Sequence, residues 1–390
     1  MTTFASPSDA ARTLRDITSE EAEACERLRT LTPRSVKALW DSGLMQLFNP
    51  AEAGGAEPSF AEMIDTWIEL AWQDGSLGWI GIANLPSAAA CAAYLPPTGF
   101  DEVFTANANR VTVGGQFFPN GMGAAVDGGY RITGAWNFGS GTGHSEYVAA
   151  GFMPTVQGEL VVDDDGIPPL LVAVIPREEI VFTDGWHVQG LKGTGSFDYN
   201  VTDVFVPESR TFELFTRTPL RGRSAAFRMG LMAITAAGHA SWALGVAKSM
   251  IDDVAELAMV KVRMGDDGAL ANRASFQKGL SHHTAMWKAA RLLVLDTFDQ
   301  SERHVSEGGD LTPSMRADLR VAATYATEAS REIVQWAHLA AGTTAIREGS
   351  RLERAFRDLY TGTQHVFIGE KTYTDAARIH LGLVEDQFGL

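Results

Sequence analysis

The sequence predicts an α+β fold of three consecutive units, and three features of its hydrophobic pattern support this. Near the N-terminus, apolar residues such as Phe60, Ile64 and Trp67 recur at helical spacing. From about residue 109 the pattern changes to short strand-like runs between glycine-rich turns. Long helical patterns return after about residue 223. We therefore expect an N-terminal helical domain over residues 1–108, a central antiparallel β-barrel or sandwich over 109–222 and a C-terminal four-helix bundle over 223–390.

The helices of the first unit are predicted from their start signals. A charged amphipathic run covers residues 18–31, and Pro33 stands where the next helix would begin. Ser59 and Glu62 have the spacing of a capping box. The most apolar stretch, residues 75–95, resembles a membrane span, but Pro86 interrupts its middle, and we expect a buried pair of helices there.

The central and C-terminal units are predicted from periodicity. The turn at Asp127-Gly128-Gly129 is a hairpin signal between two strand-like runs. Strands are expected over residues 111–118, 130–138, 147–153, 170–175 and 199–206. Four long helices are expected over residues 226–262, 270–306, 312–341 and 349–385.

Composition and charge narrow the range of functions. The chain has 390 residues and a formal net charge of −16, so nucleic acid and anionic membrane surfaces are not expected as partners. Its two cysteines, Cys25 and Cys91, are too few for a disulfide framework or a cysteine zinc cluster. The N-terminal residues show no signal-peptide pattern, and we expect a cytoplasmic protein.

Several common catalytic motifs are missing from the sequence. It has no Gly-x-Gly-x-x-Gly for a dinucleotide, and the Gly-Lys-Ser/Thr of a phosphate-binding loop is also missing. No glutamate is followed by a histidine three residues later, as a di-iron bundle site needs. Neither His-Glu-x-x-His nor Gly-x-Ser-x-Gly occurs. Nicotinamide-dependent, hydrolytic and metal-dependent enzymes are therefore disfavoured, and no metal site is expected.

Distinctive stretches lie in the last two units of the chain. They are Trp136-Asn-Phe-Gly-Ser-Gly141, Gly190-Leu-Lys-Gly-Thr-Gly-Ser196, Asp203-Val-Phe-Val-Pro207 and Arg351-Leu-Glu-Arg-Ala-Phe-Arg-Asp358. In this order, and with helices before and after the strands, they resemble the acyl-CoA dehydrogenase superfamily over nearly the whole chain. The resemblance implies the fold of that superfamily and a flavin cofactor.

Within the superfamily, the chain resembles the oxygenase components of two-component flavin-dependent (group D) monooxygenases more than the dehydrogenases. It has Gly114-Gly115-Gln116 where dehydrogenases usually carry a Thr-Glu-Pro stretch, and His365 where many carry a glutamate. This branch implies reduced FMN or FAD from a separate flavin reductase and molecular oxygen as co-substrate. It also implies oxygen transfer to a small organic substrate through a flavin hydroperoxide. Aromatic compounds are one candidate substrate class, and the choice between FMN and FAD stays open.

Two other functions stay open on the sequence alone. An FAD-dependent acyl-CoA dehydrogenase would need a catalytic carboxylate, for which Glu370 and Asp358 are candidates. A non-enzymatic helical scaffold is the third hypothesis. Glycine-rich β loops argue against it, because they are typical of close backbone approach to a ligand.

The resemblance also implies site residues. His365 would be catalytic by exchanging a proton beside the cofactor, which histidine does near neutral pH. Ser140 would be catalytic through a hydrogen bond near the flavin N5. The predicted cofactor-binding residues are Gln116, Trp136, Phe138, Ser140, Gly141, Thr194, Ser196, Arg263 and Gln277.

Structural roles compete with several of these assignments. Ser140 could satisfy a turn, and His365 could lie on the core face of a helix. Trp136 and Phe138 alternate along a strand and so are expected on one face, either against the flavin or in the barrel core. In the superfamily an arginine placed like Arg263 reaches the cofactor of a neighbouring subunit. With apolar bundle positions such as Trp242, this implies a homotetramer.

Overall fold

Helices, a sheet and helices again follow one another in the computed structural model, which describes residues 6–164, 166–265, 267–387 and 389. The predicted α+β class is confirmed. Helices precede residue 108, strands run from 113 to 213, and the long helices begin at 225. The domain boundaries themselves stay a prediction.

Six α-helices lie in the described part of the first unit, which begins at residue 6. They are α1 (Pro7–Arg12), α2 (Arg15–Leu28), α3 (Pro33–Asp41), α4 (Phe60–Gln73), α5 (Gly75–Tyr94) and α6 (Pro97–Val103). The capping box is confirmed, because the Ser59 side chain accepts the Glu62 N–H and the Glu62 carboxylate accepts the Ser59 N–H. Pro33 is the first residue of its helix, as predicted.

Residues 75–94 form one helix, so the prediction of a helix pair is wrong. Pro86 lies inside α5 without ending it. A proline in a helix interior costs ~3 kcal/mol because it removes one hydrogen bond and crowds the preceding turn. Here burial on nearly every side stabilises the helix, and Pro86 is itself buried.

The second unit is an eight-stranded sheet. Its strands are β1 (Val113–Val126), β2 (Gly129–Gly139), β3 (Tyr147–Val156), β4 (Glu159–Leu160), β5 (Leu171–Pro176), β6 (Val181–Thr183), β7 (Phe197–Pro207) and β8 (Thr211–Glu213). The order is β6-β7-β2-β1-β3-β5-β8, with β4 paired to β3. Its core contains Trp136, Phe152 and Tyr199.

One pairing departs from the antiparallel sheet that the sequence predicts. Strand β1 pairs with β3 in parallel, with Val113 opposite Tyr147. The hairpin places β2 along one edge of β1 and returns the chain to the start of β1. The next strand therefore starts at the same end and takes the other edge, which makes the pair parallel.

The described residues of the third unit form three long helices and a broken fourth. They are α7 (Ala225–Val260), α8 (Ala274–Ser306), α9 (Pro313–Ala341), α10 (Arg351–Gly362) and α11 (Lys371–His380). The single helix predicted over 349–385 is wrong, because residues 363–370 are not helical. Helix α7 is long and apolar enough to span a membrane, but 89% of its most apolar window is buried inside the fold.

Gly362 is where the fourth helix ends against the core. A Cβ built on Gly362 would lie 2.1 Å from the ring of Trp242. That ring is fully buried, and its Nε1 donates to the Gly75 carbonyl at 2.9 Å, so it has no room to move. The glycine is therefore needed for this close approach.

Gly362→Ala is expected to lower the free energy of unfolding by ~1–3 kcal/mol, the usual cost of an overpacked core. Urea unfolding followed by tryptophan fluorescence measures the change. Gly369→Ala is the matched control, since a Cβ there meets nothing within 4 Å. Equal stability losses in the two variants would contradict the packing argument.

Candidate active site

A cavity of about 450 Å³ lies where the three units meet. Helix α5 contributes Trp79, and the end of β2 contributes Phe138 and Ser140. The loop before β7 supplies further lining residues, and the non-helical segment after α10 supplies His365. The complete lining is Trp79, Gln116, Phe138, Ser140, Trp186, Val188, Gln189, Leu191, Ser196, Thr361, Gly362, Gln364, His365 and Val366. Five of the predicted site residues therefore share this cavity: Gln116, Phe138, Ser140, Ser196 and His365.

A break in strand β2 turns Phe138 towards the cavity. Phe138 has a left-handed backbone with φ of 62°, and its N–H donates to the Asp198 carboxylate at 3.1 Å. The register with β7 shifts between Trp136 and Gly139. As a result the Phe138 side chain is 63% exposed, while Trp136 is 1% exposed.

The expectation that Trp136 and Phe138 share one face is therefore wrong. The Trp136 ring stacks on Tyr199 with centroids 5.3 Å apart, and its Nε1 donates to the Gly151 carbonyl at 3.0 Å. It belongs to the core of the sheet and does not line the cavity. Strict alternation fails here because the bulge adds a residue to the pleat.

A chain of hydroxyl groups leads from the cavity wall into the fold. Trp79 Nε1 donates to Ser140 Oγ at 3.0 Å, and Ser140 Oγ lies 2.9 Å from Ser196 Oγ. Ser196 Oγ lies 2.7 Å from Thr194 Oγ1, which donates to the Leu191 carbonyl at 2.8 Å. Thr194 is fully buried and contacts the cavity only through this chain.

A buried carboxyl group anchors the chain at Leu191. The Leu191 N–H donates to Asp358 Oδ1 at 2.6 Å, and the Leu191 backbone is left-handed with φ of 57°. Asp358 is fully buried, and its Oδ2 has no hydrogen-bond partner. Burial, and next the nearby Asp74 carboxylate, raise the pKa of Asp358 well above its ordinary value.

His365 lies in the turn after α10, where the sequence suggested a helix face. Its Nδ1 accepts the Phe367 N–H at 3.2 Å, so the ring proton of the neutral form sits on Nε2. The ring packs against His239 with centroids 4.4 Å apart. Burial, and next the Arg320 guanidinium, lower the pKa of His365 to about 4. The side chain is therefore uncharged at neutral pH.

Three predicted cofactor residues lie elsewhere in this chain. Gly141 has φ of 76°, and a Cβ there would fall 1.8 Å from Asn84 Oδ1, so it permits contact between β2 and α5. The Arg263 guanidinium donates to the Ala340 carbonyl at 2.7 Å. Gln277 Nε2 donates to the Ala271 carbonyl at 2.9 Å. A role of Arg263 or Gln277 in a neighbouring subunit's site stays a prediction.

Sequence reasoning missed two aromatic residues of the cavity. Trp79 supplies the indole N–H to Ser140, and Trp186 packs edge-on against Phe138 with centroids 6.3 Å apart. The only signal for either was a tryptophan directly after a glycine, in an apolar stretch for Trp79 and in a polar one for Trp186. A separate group, His282, His283 and Glu332, places three ligand atoms within 4.8 Å of one another but does not line the cavity.

Asp358→Asn is expected to remove a pH dependence of stability. A carboxyl whose pKa is raised on folding holds its proton more tightly in the folded state, so the wild type loses stability as pH rises above 3.8. The asparagine side chain does not titrate and still offers an oxygen to the Leu191 N–H. The stability of the variant relative to the wild type should therefore increase with pH, by up to ~1.4 kcal/mol per unit.

Urea unfolding of both proteins between pH 5 and pH 8 measures this difference. A difference that stays constant over this range would show that Asp358 is not held protonated by its surroundings.

Known proteins resemble this chain along nearly all of its length. Residues 237–370 match the family model described as acyl-CoA dehydrogenase, C-terminal domain. Indole-3-acetate monooxygenase of Pseudomonas putida is 28% identical over 369 residues, covering 92% of this chain and 89% of the relative. The oxygenase subunit HsaA of a flavin-dependent monooxygenase from Rhodococcus jostii is 27% identical over 387 residues, covering 95% of each.

A solved structure agrees with these sequence matches. XiaF from Streptomyces sp., in complex with FADH2 and glycerol, superposes with a TM-score of 0.88 at 23% identity and covers 98% of this chain and 97% of that one. The likeness confirms the acyl-CoA dehydrogenase-like fold. The predicted resemblance is thus confirmed: the chain is similar to the oxygenase components of two-component flavin-dependent monooxygenases, and these similarities favour that function over acyl-CoA dehydrogenation.

Proposed function

We propose that the cavity binds reduced FMN or FAD supplied by a separate reductase, and that the protein uses molecular oxygen to oxygenate a small organic substrate. The observation that carries this proposal is the set of groups at the cavity. An acceptor hydroxyl, Ser140, and an uncharged histidine, His365, line it together with exposed aromatic surface. Among the described residues that line it, none is an aspartate or a glutamate.

The cavity fits the ring system of a flavin in size and chemistry. Its volume of about 450 Å³ lies in the range of small-molecule sites. Phe138 presents a ring that is 63% exposed, on a backbone in the left-handed region, and a flat ligand would cover that ring. Gln116 and Ser196 are further polar residues of the lining. Reduced flavin, when bound, supplies the electrons with which oxygen is activated.

The residues of the chain would form hydrogen bonds to the bound groups, hold the cofactor and exclude water. His365 carries its proton on Nε2 and is uncharged at neutral pH, so it can donate a hydrogen bond to an oxygen atom in the cavity without adding a net charge there. Ser140 holds one polar atom of the cofactor. Aromatic surfaces keep water out of the site, which protects a reactive oxidant.

The alternative dehydrogenase chemistry needs a carboxylate base at the cavity. Asp358 is occupied with the Leu191 N–H and is not among the lining residues. Glu370 is exposed to solvent beyond the lining segment. Neither carboxylate suggested by the sequence is therefore positioned to remove a proton from a bound acyl group.

Aromatic compounds are the substrate class that the surroundings favour. The rings of Trp79, His239 and His365 pack together beside the cavity, with Trp79 and His239 centroids 5.3 Å apart. The relative from Pseudomonas putida is named for an indole compound. We further propose a cytoplasmic location, where a reductase can supply reduced flavin.

The function is tested by reducing FMN or FAD anaerobically with the protein and then admitting oxygen. An oxygenase should delay the release of hydrogen peroxide relative to free reduced flavin, and should transfer labelled oxygen into a product when aromatic acids and phenols are screened. Bleaching of oxidised flavin by an acyl-CoA without any reductant would instead establish the dehydrogenase.

His365→Ala is expected to reduce product formation by ~10²-fold or more, the usual worth of a preorganised hydrogen-bond donor at a site of developing charge. Peroxide release should increase, because oxygen is then consumed without reaching the substrate. Ser140→Ala should give a milder form of the same uncoupling. Coupled product and peroxide assays measure both effects.

His187→Ala is the matched control, because this exposed histidine pairs with Asp184 and does not line the cavity. Full, coupled activity in His365→Ala would show that the histidine only packs the turn.

We propose a homotetramer on the exposed apolar surface of the bundle. The apolar positions of α7 that suggested assembly, such as Trp242 and Leu244, are buried within the single chain. Other apolar side chains are exposed, including Leu292 on α8 at 63% and Leu339 on α9 at 68%. Such a surface is typical of a contact between copies.

Light scattering at micromolar concentration should therefore give the mass of a tetramer, with a dimer as the smaller alternative. Leu292→Glu should shift the protein towards smaller species, whereas Val181→Glu on strand β6 should not, although Val181 is also exposed. A monomeric wild type would contradict the proposal.

A further inference from the structure

The hydroxyl chain behind the cavity has only one arrangement of protons that satisfies every contact. A hydroxyl group has one proton and two lone pairs, whereas a carbonyl oxygen only accepts. The Leu191 carbonyl lies 2.8 Å from Thr194 Oγ1, so the Thr194 proton points to it. Thr194 is then an acceptor towards Ser196, 2.7 Å away, and Ser196 must be the donor in that pair.

The same count fixes the direction of Ser140. Because the Ser196 proton is used towards Thr194, the Ser140 proton points to Ser196 across 2.9 Å. Trp79 Nε1 donates to one lone pair of Ser140 Oγ at 3.0 Å. Ser140 therefore offers the cavity one lone pair and no proton.

The anchor of the chain is itself held firmly. The Leu191 N–H is bound to the buried Asp358 carboxyl, and the Trp186 indole donates to the Leu191 carbonyl at 3.2 Å. Thr194 and Ser196 are both almost fully buried, so no solvent competes for their protons. The direction of the Ser140 hydroxyl is thus set from a point outside the cavity.

We propose that Thr194 and Ser196 fix Ser140 as an acceptor and thereby make the site select reduced over oxidised flavin. Flavin N5 carries a proton in the reduced form and a lone pair in the oxidised form. An acceptor hydroxyl stabilises the first and repels the second, in which two lone pairs would face each other. The inference rests on the proposed flavin site and assigns Thr194 and Ser196 as positioning residues for redox-state selectivity.

The test measures the dissociation constants of oxidised and dithionite-reduced FMN and FAD under anaerobic conditions, by fluorescence and calorimetry. The wild type should bind the reduced form more tightly. Thr194→Val removes the acceptor of Ser196, and Ser196→Ala removes the acceptor of Ser140. Either change frees the Ser140 proton to point into the cavity. Each should lower the ratio of the oxidised to the reduced dissociation constant by roughly 10-fold, the size of one hydrogen bond of reversed polarity.

Three controls separate the effect of the Ser140 proton direction from a general loss of structural support. Thr194→Ser keeps the hydroxyl and should restore the wild-type ratio. Thr142→Val makes the same change at a buried threonine that is not part of the hydroxyl chain, because its Oγ1 donates to the Gly195 carbonyl at 3.0 Å. This variant should leave the ratio unchanged. In a Ser140→Ala background, Thr194→Val should have no further effect on the ratio.

Thermal unfolding shows whether each variant is folded. If Thr194→Val does not fold, Ser196→Ala alone provides the test. A wild-type ratio near one, or ratios within about 2-fold of the wild type in both variants, would overturn the inference while leaving flavin binding intact. Absence of binding of either flavin to the wild type would instead overturn the proposed function itself.

Discussion

The hydrogen bond between the Leu191 N–H and the buried Asp358 carboxyl joins the sheet to the bundle at the wall of the cavity. Leu191 lies in the loop before β7, and its left-handed backbone turns the carbonyl towards Thr194. From there the hydroxyl chain reaches Ser140 and ends at Trp79 of the first unit. One buried carboxyl therefore sets the relative positions of groups from all three units. Because the Asp358 carboxyl is fully buried, its loss would leave the Leu191 N–H unpaired and cost more than an average hydrogen bond.

The electrostatics of the cavity follow from the exclusion of charged side chains from its lining. The buried Asp358 carboxyl turns its bound oxygen to the Leu191 backbone, and burial favours its neutral form. His365 is likewise held neutral by burial and by Arg320, whose guanidinium donates to the Phe367 carbonyl at 2.7 Å. A site lined by neutral polar groups suits a cofactor and an oxidant that carry their own charge, because fixed charges nearby would have to be desolvated as well.

Periodicity and start signals were sufficient for the order of the units, for the capping box at Ser59 and for the long helices, because these depend on neighbours in sequence. They failed where a tertiary contact overrides the local pattern. Phe138 leaves the face of Trp136 because its N–H is held by Asp198, sixty residues away along the chain. The helix predicted over 349–385 is interrupted after Gly362, where only a glycine leaves room for the Trp242 ring. The resemblance supplied Ser140 and His365, whereas the donor from Trp79 depends on how α5 docks on the sheet, which no local pattern encodes.

The motifs that carry the resemblance contribute mainly to contacts between the units and less to contacts with a ligand. A Cβ on Gly190 would lie 2.2 Å from the Arg357 carbonyl, and one on Gly75 would lie 2.5 Å from Asp358 Oδ2. These glycines let the loop and helix α5 approach the same turn of α10, where the Arg-Asp pair of the last motif lies. Arg357 in turn donates to the Gln189 carbonyl at 2.7 Å and to Glu26 at 2.9 Å, which ties α2 to the same point. The motif residues thus assemble the junction, and the junction creates the cavity. A sequence could therefore keep these motifs and the fold while the residues facing the cavity change, which is how one fold comes to serve different oxidations.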